Sequence, residues 1–373
     1  MSIRVLYAIS EDWFFASHFQ ERALRHHANG AVIGVATHHG SSSLQKNDEF
    51  QKFDMDTERG SLNVVADVRA VFQLSRAIRR FRPDILHCVA MKPILFGALV
   101  SMATRLPCVF APTGLGYLFT RNTVFTRISR VIFLQILRLA LRVRHNHVII
   151  ENEEDRQSLV ASGIVRAEQI HLIRGAGIDF GRFNPSDEPD PPVIILCVAR
   201  LLVDKGIREF FAAAAQVSAM RPEVRFVLVG DIDSKNPSSL THDEAQRLAT
   251  DSAVLWSGPQ ASVEDFYRTS HIVCLPSYRE GLPKVLLEAA ASKRCIVTTD
   301  TIGCREIITD NVTGILVPVA DSDALAGALL RVIDDAPLRR QLAEAAYDSI
   351  KLGFSVDDVS RATEHIYDLA CKS

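Results

Sequence analysis

The chain has 373 residues, a formal net charge of −2 and 47% hydrophobic residues, so it is long enough for two domains that each bury a full core. A nearly neutral balance argues against nucleic acid as the main partner, because phosphate-binding domains are usually strongly basic. The seven cysteines include no C-x-x-C pair, so neither a disulfide framework nor a zinc site is expected.

The amino-terminal sequence MSIRVLYAIS enters a strand pattern directly. It lacks the basic region, long apolar run and cleavage site of a signal peptide. No uncharged apolar run approaches the roughly 18 to 20 residues that a membrane span requires. We therefore expect a cytoplasmic protein that contacts a membrane only peripherally.

Short apolar runs alternate with helix-patterned segments in two successive sets. The first set is IRVLYAI, AVIGVAT, DILHCV, CVFAPT and HVIIEN, and the second is PVIILCVAR, RFVLVGD, AVLWSG, HIVCLPS and CIVTTD. Strands that alternate with helices predict parallel sheets with both faces covered. The predicted fold class is therefore α/β, with two doubly wound parallel sheets.

The domain boundary is predicted at residues 183–192, FNPSDEPDPP, because this proline-rich and acidic segment cannot continue a helix or a central strand. An amino-terminal domain would then span residues 1–182 and a second domain residues 193–355. Residues 356–373 read as an amphipathic helix that packs back towards the amino-terminal domain. Ligands bind beyond the carboxyl ends of such strands, so we expect the site in a cleft between the two domains.

Two cations follow the first strand of the second set. VIILCVAR ends at Arg200, and Lys205 with Gly206 opens the next helix. A helix N-terminus favours anions, and arginine can hold a phosphate through two hydrogen bonds. The pair is a candidate diphosphate site, although two solvated surface charges would give the same pattern.

The stretch YREGLPKVLLEAAA, Tyr278 to Ala291, combines two carboxylates with a tight turn. Glu280 falls in the turn before a predicted helix and Glu288 within that helix. Carboxylates accept hydrogen bonds from hydroxyl groups, while the backbone N–H groups of the turn suit an anion. The combination fits a ligand that carries both diols and phosphates, such as a sugar nucleotide. Taken alone, a solvated glutamate and a glutamate at a helix start explain it equally well.

Arg200, Lys205 and the Glu280-x7-Glu288 pair, in this order, resemble the nucleotide-sugar half of the family 4 retaining glycosyltransferases, which have the GT-B fold. The resemblance covers nearly the whole chain. Its other segments are GAGIDFGRFNP, ARLLVDKGI, VLVGD, SGPQASVEDFYRTSHIVCLPSYREGLPKVLLEAAA and EIITDNVTGILV. It implies an enzyme that uses a nucleotide-sugar donor and needs no cofactor.

The resemblance also implies roles for the donor-side residues. Arg200 and Lys205 would hold the donor diphosphate and act in catalysis. Glu280 would bind the donor sugar hydroxyls at the reacting centre, and Glu288 would bind the ribose. The other positions implied to meet the sugar, phosphate or base are Trp256, Gly258, Gly281, Leu282 and Pro283.

Asp231-Ile232-Asp233 spells D-x-D, which in a different glycosyltransferase architecture binds a divalent metal together with the donor. A pair of carboxylates after a strand is also an ordinary turn signal. Because the resemblance is to the metal-independent fold, we expect no metal here.

In the family, the amino-terminal domain receives the acceptor, and a histidine in one of its loops often lies near the reacting centre. The equivalent place here holds Thr113 and Gly114, so the sequence departs from the family at this point. His87 is a further acceptor-side candidate and is also a candidate catalytic residue. His18 is another acceptor-side candidate. Either histidine could instead be packed and hydrogen-bonded. Two further candidates beside them are Trp13 and Lys92.

EDWFFASHF, LHCVAMKP and PTGLGYLF resemble a subset of the family in bacterial surface-polysaccharide pathways. Those enzymes add sugars to saccharides linked to undecaprenyl diphosphate, a polyprenyl-diphosphate carrier. The resemblance favours a UDP-sugar, carrying a hexose or an N-acetylhexosamine, as donor. Residues 121–144, RNTVFTRISRVIFLQILRLALRVR, contain six arginines and no acid, which is typical of a helix at an anionic membrane interface. A core helix with one solvated face is the alternative.

No protein nucleophile is evident. Retention of the configuration of the transferred sugar would then follow a front-face route, in which the acceptor hydroxyl attacks from the side of the leaving diphosphate and gives its proton to that diphosphate. Two other functions share the fold and the donor. A sugar-nucleotide epimerase would change the sugar without an acceptor, and a non-catalytic subunit would bind the donor without turning it over.

Overall fold

The computed structural model describes residues 2–38, 48–57, 63–112, 124–234 and 236–372, and for residues 124–126, 128 and 129 it describes the backbone. The chain divides into two compact units. The first is Met1–Gly177 with Val356–Ser373, and the second is Ile178–Ser355.

The first unit contains a seven-stranded sheet in the order β3-β2-β1-β4-β5-β6-β7, in which every pair of neighbours is parallel. The strands are β1 (Arg4–Glu11), β2 (Val32–His38), β3 (Gln51–Asp54), β4 (Ile85–Val89), β5 (Cys108–Ala111), β6 (His147–Ile150) and β7 (Ile170–Leu172). The helices are α1 (Asp12–His18), α2 (Gln20–Ala28), α3 (Val64–Phe81), α4 (Met91–Thr104), α5 (Val124–Ala140), α6 (Glu153–Ala161) and the carboxyl-terminal helix (Val356–Lys372).

Helices cover both faces of this sheet because its strands are apolar on both sides. Along β1, Leu6 and Ala8 belong to one core cluster, while Val5 and Tyr7 belong to another, as the two-residue period of a strand requires. Residues of α3, α4, α5 and α6 complete the first cluster. Residues of α1, α2 and the carboxyl-terminal helix complete the second. In the part of the chain that the structure describes, no helix is both long and apolar enough to cross a bilayer.

The second unit contains a six-stranded sheet in the order β10-β9-β8-β11-β12-β13, again parallel throughout. The strands are β8 (Ile194–Val198), β9 (Arg225–Val229), β10 (Val254–Trp256), β11 (Ile272–Leu275), β12 (Cys295–Thr299) and β13 (Ile315–Val317). The helices are α7 (Ile207–Met220), α8 (His242–Asp251), α9 (Glu264–Thr269), α10 (Lys284–Ala291), α11 (Ile302–Arg305), α12 (Ser322–Asp334) and α13 (Ala336–Ile350).

The predicted α/β class with two doubly wound parallel sheets is confirmed by these two topologies. In each sheet the strand order reverses direction once along the chain, between β1 and β4 in the first unit and between β8 and β11 in the second. The carboxyl ends of the strands beside such a reversal form the crevice in which α/β proteins bind ligands. Both reversals are therefore candidate ligand-binding sites.

The chain passes from the first unit to the second at Gly177 and Ile178. The segment predicted as a linker, residues 183–192, packs on the second unit. Phe183 is only 3% exposed, and the buried Arg294 guanidinium donates to the carbonyl oxygen of Ser186 at 2.8 Å.

A buried polar chain joins the carboxyl-terminal helix to the sheet of the first unit. The Tyr367 hydroxyl lies 2.6 Å from His87 Nδ1 and donates to the Tyr7 hydroxyl at 3.1 Å. The Tyr7 hydroxyl lies 3.4 Å from His26 Nδ1, and His26 Nε2 lies 3.2 Å from the carbonyl oxygen of Ser360. Because desolvation penalises a cation, burial lowers the pKa of His26 to about 4 and that of His87 well below its ordinary value.

Acidification should destabilise the fold. Among the described residues, five histidines have a pKa lowered mainly by burial, namely His26, His87, His147, His171 and His271. Below about pH 6.5 the unfolded chain protonates these histidines while the folded chain does not. The unfolded state then binds more protons, so the free energy of unfolding falls by about 1.4 kcal/mol per pH unit for each excess proton. Thermal unfolding at steps from pH 7 to pH 5 measures this decrease.

The substitution His26→Gln serves as the control for that measurement. It removes one titrating ring and should make the decrease in melting temperature shallower. A melting temperature that stays constant between pH 7 and pH 5 would contradict the expectation.

Candidate active site

Most of the predicted donor-side residues lie at one edge of the second sheet. Trp256 ends β10, Arg200 follows β8 and Glu280 follows β11. Strands β10, β9, β8 and β11 are consecutive neighbours in the sheet, so their carboxyl ends lie side by side. The structure therefore brings Arg200 and Glu280, which are 80 positions apart in the sequence, to the reversal between β8 and β11, and it places Trp256 two strands away along the same edge. We call this edge the donor edge, after the donor-side residues predicted there.

Arg200 is held by a carboxylate from the end of the neighbouring strand. Its Nη1 atom lies 2.5 Å from Asp233 Oδ2, and the two side chains are 33% and 19% exposed. Asp231, the other acid of the D-x-D sequence, accepts a hydrogen bond from the backbone N–H of Ile232 at 2.8 Å. The first and last residues of D-x-D thus have different partners, and Asp233 orients Arg200.

Lys205 reaches across the reversal to Glu280. Its Nζ atom lies 2.5 Å from Glu280 Oε1, and the two side chains are 24% and 11% exposed. The turn after β8 can approach β11 this closely because residue 206 is glycine. Gly206 has a φ of +67°, and a Cβ atom there would lie 1.9 Å from the carbonyl oxygen of Pro276. A side chain at position 206 would therefore push the two halves of the ion pair apart.

Glu288 is buried on α10, where the Tyr267 hydroxyl and the Lys284 ammonium face its carboxylate. The Tyr267 hydroxyl donates to Oε2 at 2.7 Å, and Lys284 Nζ lies 3.4 Å from Oε1. Glu288 is 6% exposed and Tyr267 is fully buried. Burial, and then the charge of Glu288, raise the pKa of Tyr267 well above its ordinary value, so the hydroxyl stays protonated and donates.

The turn of Gly281, Leu282 and Pro283 leads directly into α10 and is pressed against the start of α11. Pro283 is the N-cap of α10 and supplies no side-chain cap. A Cβ atom on Gly303 would lie 2.4 Å from the carbonyl oxygen of Gly281 and 2.7 Å from that of Glu280. The absence of a side chain at residue 303 thus sets how close α11 comes to the turn.

Trp256 and Gly258 line the far end of the same edge. The Trp256 indole N–H donates to the carbonyl oxygen of Gly230 at 2.9 Å, and its ring lies 5.4 Å from that of His242. Gly258 has a φ of +67°, and its carbonyl oxygen accepts from the N–H of Gly230 at 3.0 Å. These contacts fix the indole plane beside the strand ends.

Within the described ranges, no group of three or more His, Cys, Asp or Glu side chains could hold a metal ion. The carboxylate of Asp233 is directed at Arg200 instead. Independence from metals and other cofactors stays a prediction.

The acceptor-side candidates belong to the first unit. His87 is 0% exposed within β4 and its ring stacks on that of Tyr7 at 4.9 Å. A role for His87 at a reacting centre stays a prediction, and it would require this imidazole to become exposed. Packing and hydrogen bonding, the alternative raised from the sequence, describe its observed environment.

Three of the remaining acceptor-side candidates lie on the helices that follow β1 and β4. Trp13 and His18 are half-buried on α1 and both contact Phe14, with ring separations of 5.7 and 4.3 Å. Lys92, in the first turn of α4, lies 2.7 Å from Asp67 Oδ1. Thr113 and Gly114 lie outside the described residues. Trp13 thus follows the end of β1 by two residues and Lys92 follows the end of β4 by three, and the acceptor roles of Trp13, His18 and Lys92 stay predictions.

Sequence reasoning missed three residues that shape the donor edge. Asp233 was noticed only as half of a metal-like motif, Tyr267 lies in an ordinary helix, and Gly303 follows a strand without any special pattern. Each acts through a residue from another strand or helix, so no local signal marked it.

Two protein-family models match this chain. Residues 4–152 match the model of the glycosyl transferase 4-like family, and residues 182–349 match that of the glycosyl transferases group 1. The chain is a glycosyltransferase, with a glycosyl transferase 4-like amino-terminal half and a group 1 carboxyl-terminal half. The predicted resemblance and the predicted enzyme class are therefore confirmed.

Two named relatives span most of this glycosyltransferase. The N,N'-diacetylbacillosaminyl-diphospho-undecaprenol alpha-1,3-N-acetylgalactosaminyltransferase of Campylobacter jejuni is 26% identical over 330 residues, which are 84% of this chain and 85% of the relative. The UDP-Gal:alpha-D-GlcNAc-diphosphoundecaprenol alpha-1,3-galactosyltransferase of Escherichia coli is 22% identical over 322 residues, which are 83% and 81% of the two chains.

The fold of this glycosyltransferase is also found in solved structures. Sucrose-phosphate synthase from Thermosynechococcus elongatus superimposes with a TM-score of 0.81 at 17% identity, covering 98% of both chains. The GT-B fold class is thereby confirmed.

The close packing at Gly303 gives a stability test. In the Gly303→Ala variant the new methyl group must displace the Glu280–Gly281 backbone, so we expect a loss of roughly 1 to 3 kcal/mol in the free energy of unfolding. Chemical denaturation measures it.

Gly327→Ala is the matched control for Gly303→Ala. Gly327 lies inside α12, and a Cβ atom there would have nothing within 4 Å. Alanine is the better helix former, so this variant should be as stable as the wild type or roughly 0.5 to 1 kcal/mol more stable. Equal stabilities of the two variants would show that the packing at Gly303 is not tight.

Proposed function

We propose that this glycosyltransferase moves a sugar from a UDP-sugar to a saccharide linked to a polyprenyl diphosphate, with retention of configuration, in the synthesis of a bacterial surface polysaccharide. The ion pair between Lys205 and Glu280, closed at 2.5 Å across the reversal of strand order, is the observation that carries the donor half of the proposal. It pairs a lysine, whose ammonium group can bind a phosphate oxygen, with a glutamate, whose carboxylate can accept hydrogen bonds from sugar hydroxyls.

The charges at the donor edge suit a nucleotide diphosphate. Arg200 has five N–H donors and Lys205 has three, so each can keep its carboxylate partner and still bind a phosphate oxygen. The carboxylate partners also hold both cations in place before a ligand arrives, which lowers the ordering cost of binding. Glu280 would accept hydrogen bonds from the sugar hydroxyls, and Glu288 from the ribose.

The same cations would promote departure of the diphosphate. Negative charge develops on the leaving group in the transition state, and fixed positive groups beside it stabilise that charge. The departing phosphate would take the proton of the acceptor hydroxyl on the same face of the sugar, which gives retention without a strong protein base. Neither a metal nor another cofactor takes part in this scheme.

The lipid-linked acceptor is supported by the relatives. The names of both relatives specify acceptors that carry undecaprenyl diphosphate, and the name of one specifies UDP-galactose as donor. We propose that the acceptor binds in the first unit of this chain. The residues proposed to receive it are Trp13, His18, Lys92, Thr113 and Gly114. Lys92 would supply a positive charge for its diphosphate.

We further propose that the basic segment at residues 121–144 contacts the inner face of the cell membrane. On α5, Phe133 and Leu137 are 2% and 1% exposed and belong to the core. Val131 and Ile132 are 58% and 52% exposed, and Leu139 is 43% exposed. Exposed arginines accompany them along and just after the helix, at positions 127, 138 and 142. One face of the helix thus packs in the core, and the other exposes apolar side chains among arginines.

A panel of UDP- and GDP-sugars, incubated with a short undecaprenyl-diphosphate-linked saccharide and read by mass spectrometry, tests the function. We expect one donor to add one sugar to the acceptor. An altered donor sugar without transfer would indicate an epimerase, and binding without turnover or hydrolysis would indicate a non-catalytic subunit. With the active donor, Arg200→Ala and Lys205→Ala should each lower turnover roughly 100- to 1000-fold.

Arg208→Ala is the control for the two active-site variants. Arg208 lies in the first turn of α7 and pairs with Glu244, with 52% of its side chain exposed. Turnover by this variant should stay within about twofold of the wild type, because exposed ion pairs contribute little. Folded Arg200→Ala and Lys205→Ala proteins with full turnover would contradict the proposed mechanism.

Flotation with vesicles tests the membrane proposal. Val131→Asp places a charge among the exposed apolar groups of α5 and should reduce binding to vesicles that contain phosphatidylglycerol. Val312→Asp is matched to it, because Val312 is 56% exposed in the second unit, and should bind like the wild type. Equal flotation of all three proteins would argue against contact through α5.

A further inference from the structure

We propose that Tyr267 is a positioning residue for nucleotide binding, because it holds the carboxylate of Glu288 in the orientation that receives the ribose hydroxyls. This inference rests on the proposed donor site and adds a residue that neither the sequence motif nor the comparisons identify.

Tyr267 is built into the second unit as a fixed donor. Its ring is 0% exposed and packs edge-on against Phe183 with a centroid separation of 5.6 Å. Its hydroxyl has a single proton and two acceptors nearby, Glu288 Oε2 at 2.7 Å and the carbonyl oxygen of Val285 at 3.4 Å. The shorter and charged contact takes the proton, because hydrogen bonds to a carboxylate are the stronger ones.

The two partners of Glu288 act on different oxygens. Tyr267 binds Oε2, while Lys284 lies 3.4 Å from Oε1, a distance that is longer than a hydrogen bond. If the tyrosine hydroxyl were absent, the carboxylate could turn and close on Lys284. The hydroxyl therefore opposes this rotation and keeps Oε1 and one lone pair of Oε2 available to a ligand.

A structural role alone would explain the same contact, since a buried carboxylate needs a donor. The two roles differ in what they predict for binding. A structural tyrosine affects the stability of the fold and leaves the nucleotide affinity of the folded protein unchanged. A positioning tyrosine changes the affinity, and only through Glu288 and the ribose hydroxyls.

The experiment is a double-mutant cycle on nucleotide affinity in the full-length protein. Calorimetry with UDP, or with GDP if it binds more tightly, is run on the wild type, Tyr267→Phe, Glu288→Gln and the double variant. We expect Tyr267→Phe to weaken binding about tenfold in the wild-type background and less than twofold in the Glu288→Gln background. With the 2′,3′-dideoxy analogue of the same nucleotide, Tyr267→Phe should have no effect larger than twofold.

Tyr367→Phe is the matched control. Tyr367 is 2% exposed and its hydroxyl lies 2.6 Å from His87 Nδ1 in the first unit, so the substitution also removes a buried hydroxyl from a hydrogen bond. It should lower the melting temperature while leaving nucleotide affinity within twofold of the wild type.

The possible results separate this inference from the proposed function. If the wild type binds a nucleotide and Tyr267→Phe binds it as tightly, the positioning role is wrong and the donor site stands. An equal loss of affinity in Tyr267→Phe and Tyr367→Phe would also overturn the positioning role, in favour of general destabilisation. A wild type that binds neither UDP nor GDP overturns the donor site and this inference with it.

Discussion

The pairing of β8 with β11 is the contact on which the donor edge depends. Ile195 lies opposite Ile272 and Leu196 opposite Val273 in this parallel pair, although β9, β10 and the helices α7, α8 and α9 lie between the two strands in the chain. The pairing places the turn after β8 beside the turn after β11. Without it, Lys205 and Glu280 could not meet, and the glycine at residue 206 would have nothing to pack against.

Charge at this edge is arranged in pairs that are only partly covered. The pairs of Arg200 with Asp233 and of Lys205 with Glu280 keep between 11% and 33% of each side chain exposed. Full burial would impose a large desolvation cost, and full exposure would leave the side chains mobile and screened. Partial burial holds the cations in defined positions while they remain accessible to the proposed diphosphate ligand.

In the first unit, the central polar groups are fully buried instead of partly exposed. Its central histidines and tyrosines are linked in a buried chain that anchors the carboxyl-terminal helix. Burial keeps these imidazoles neutral, so they stabilise the packing at neutral pH and carry no charge there. The partly exposed acceptor-side candidates of this unit are Trp13, His18 and Lys92, on the helices that follow β1 and β4. The two units thus share a topology but differ in where they place charge.

Sequence patterns alone were sufficient to predict the fold class and the family, and they singled out Arg200, Lys205, Glu280 and Glu288 as candidate donor residues. Hydrophobic periodicity and turn residues are local signals, and the family resemblance rests on short sequence motifs that contain these four residues. Only the tertiary structure showed that Asp233 holds Arg200, that Tyr267 holds Glu288 and that Gly303 lets α11 approach the turn. It also showed that His87 is buried. These facts follow from which strands become neighbours and how side chains then fill the space between distant segments, and no short stretch of sequence contains that information.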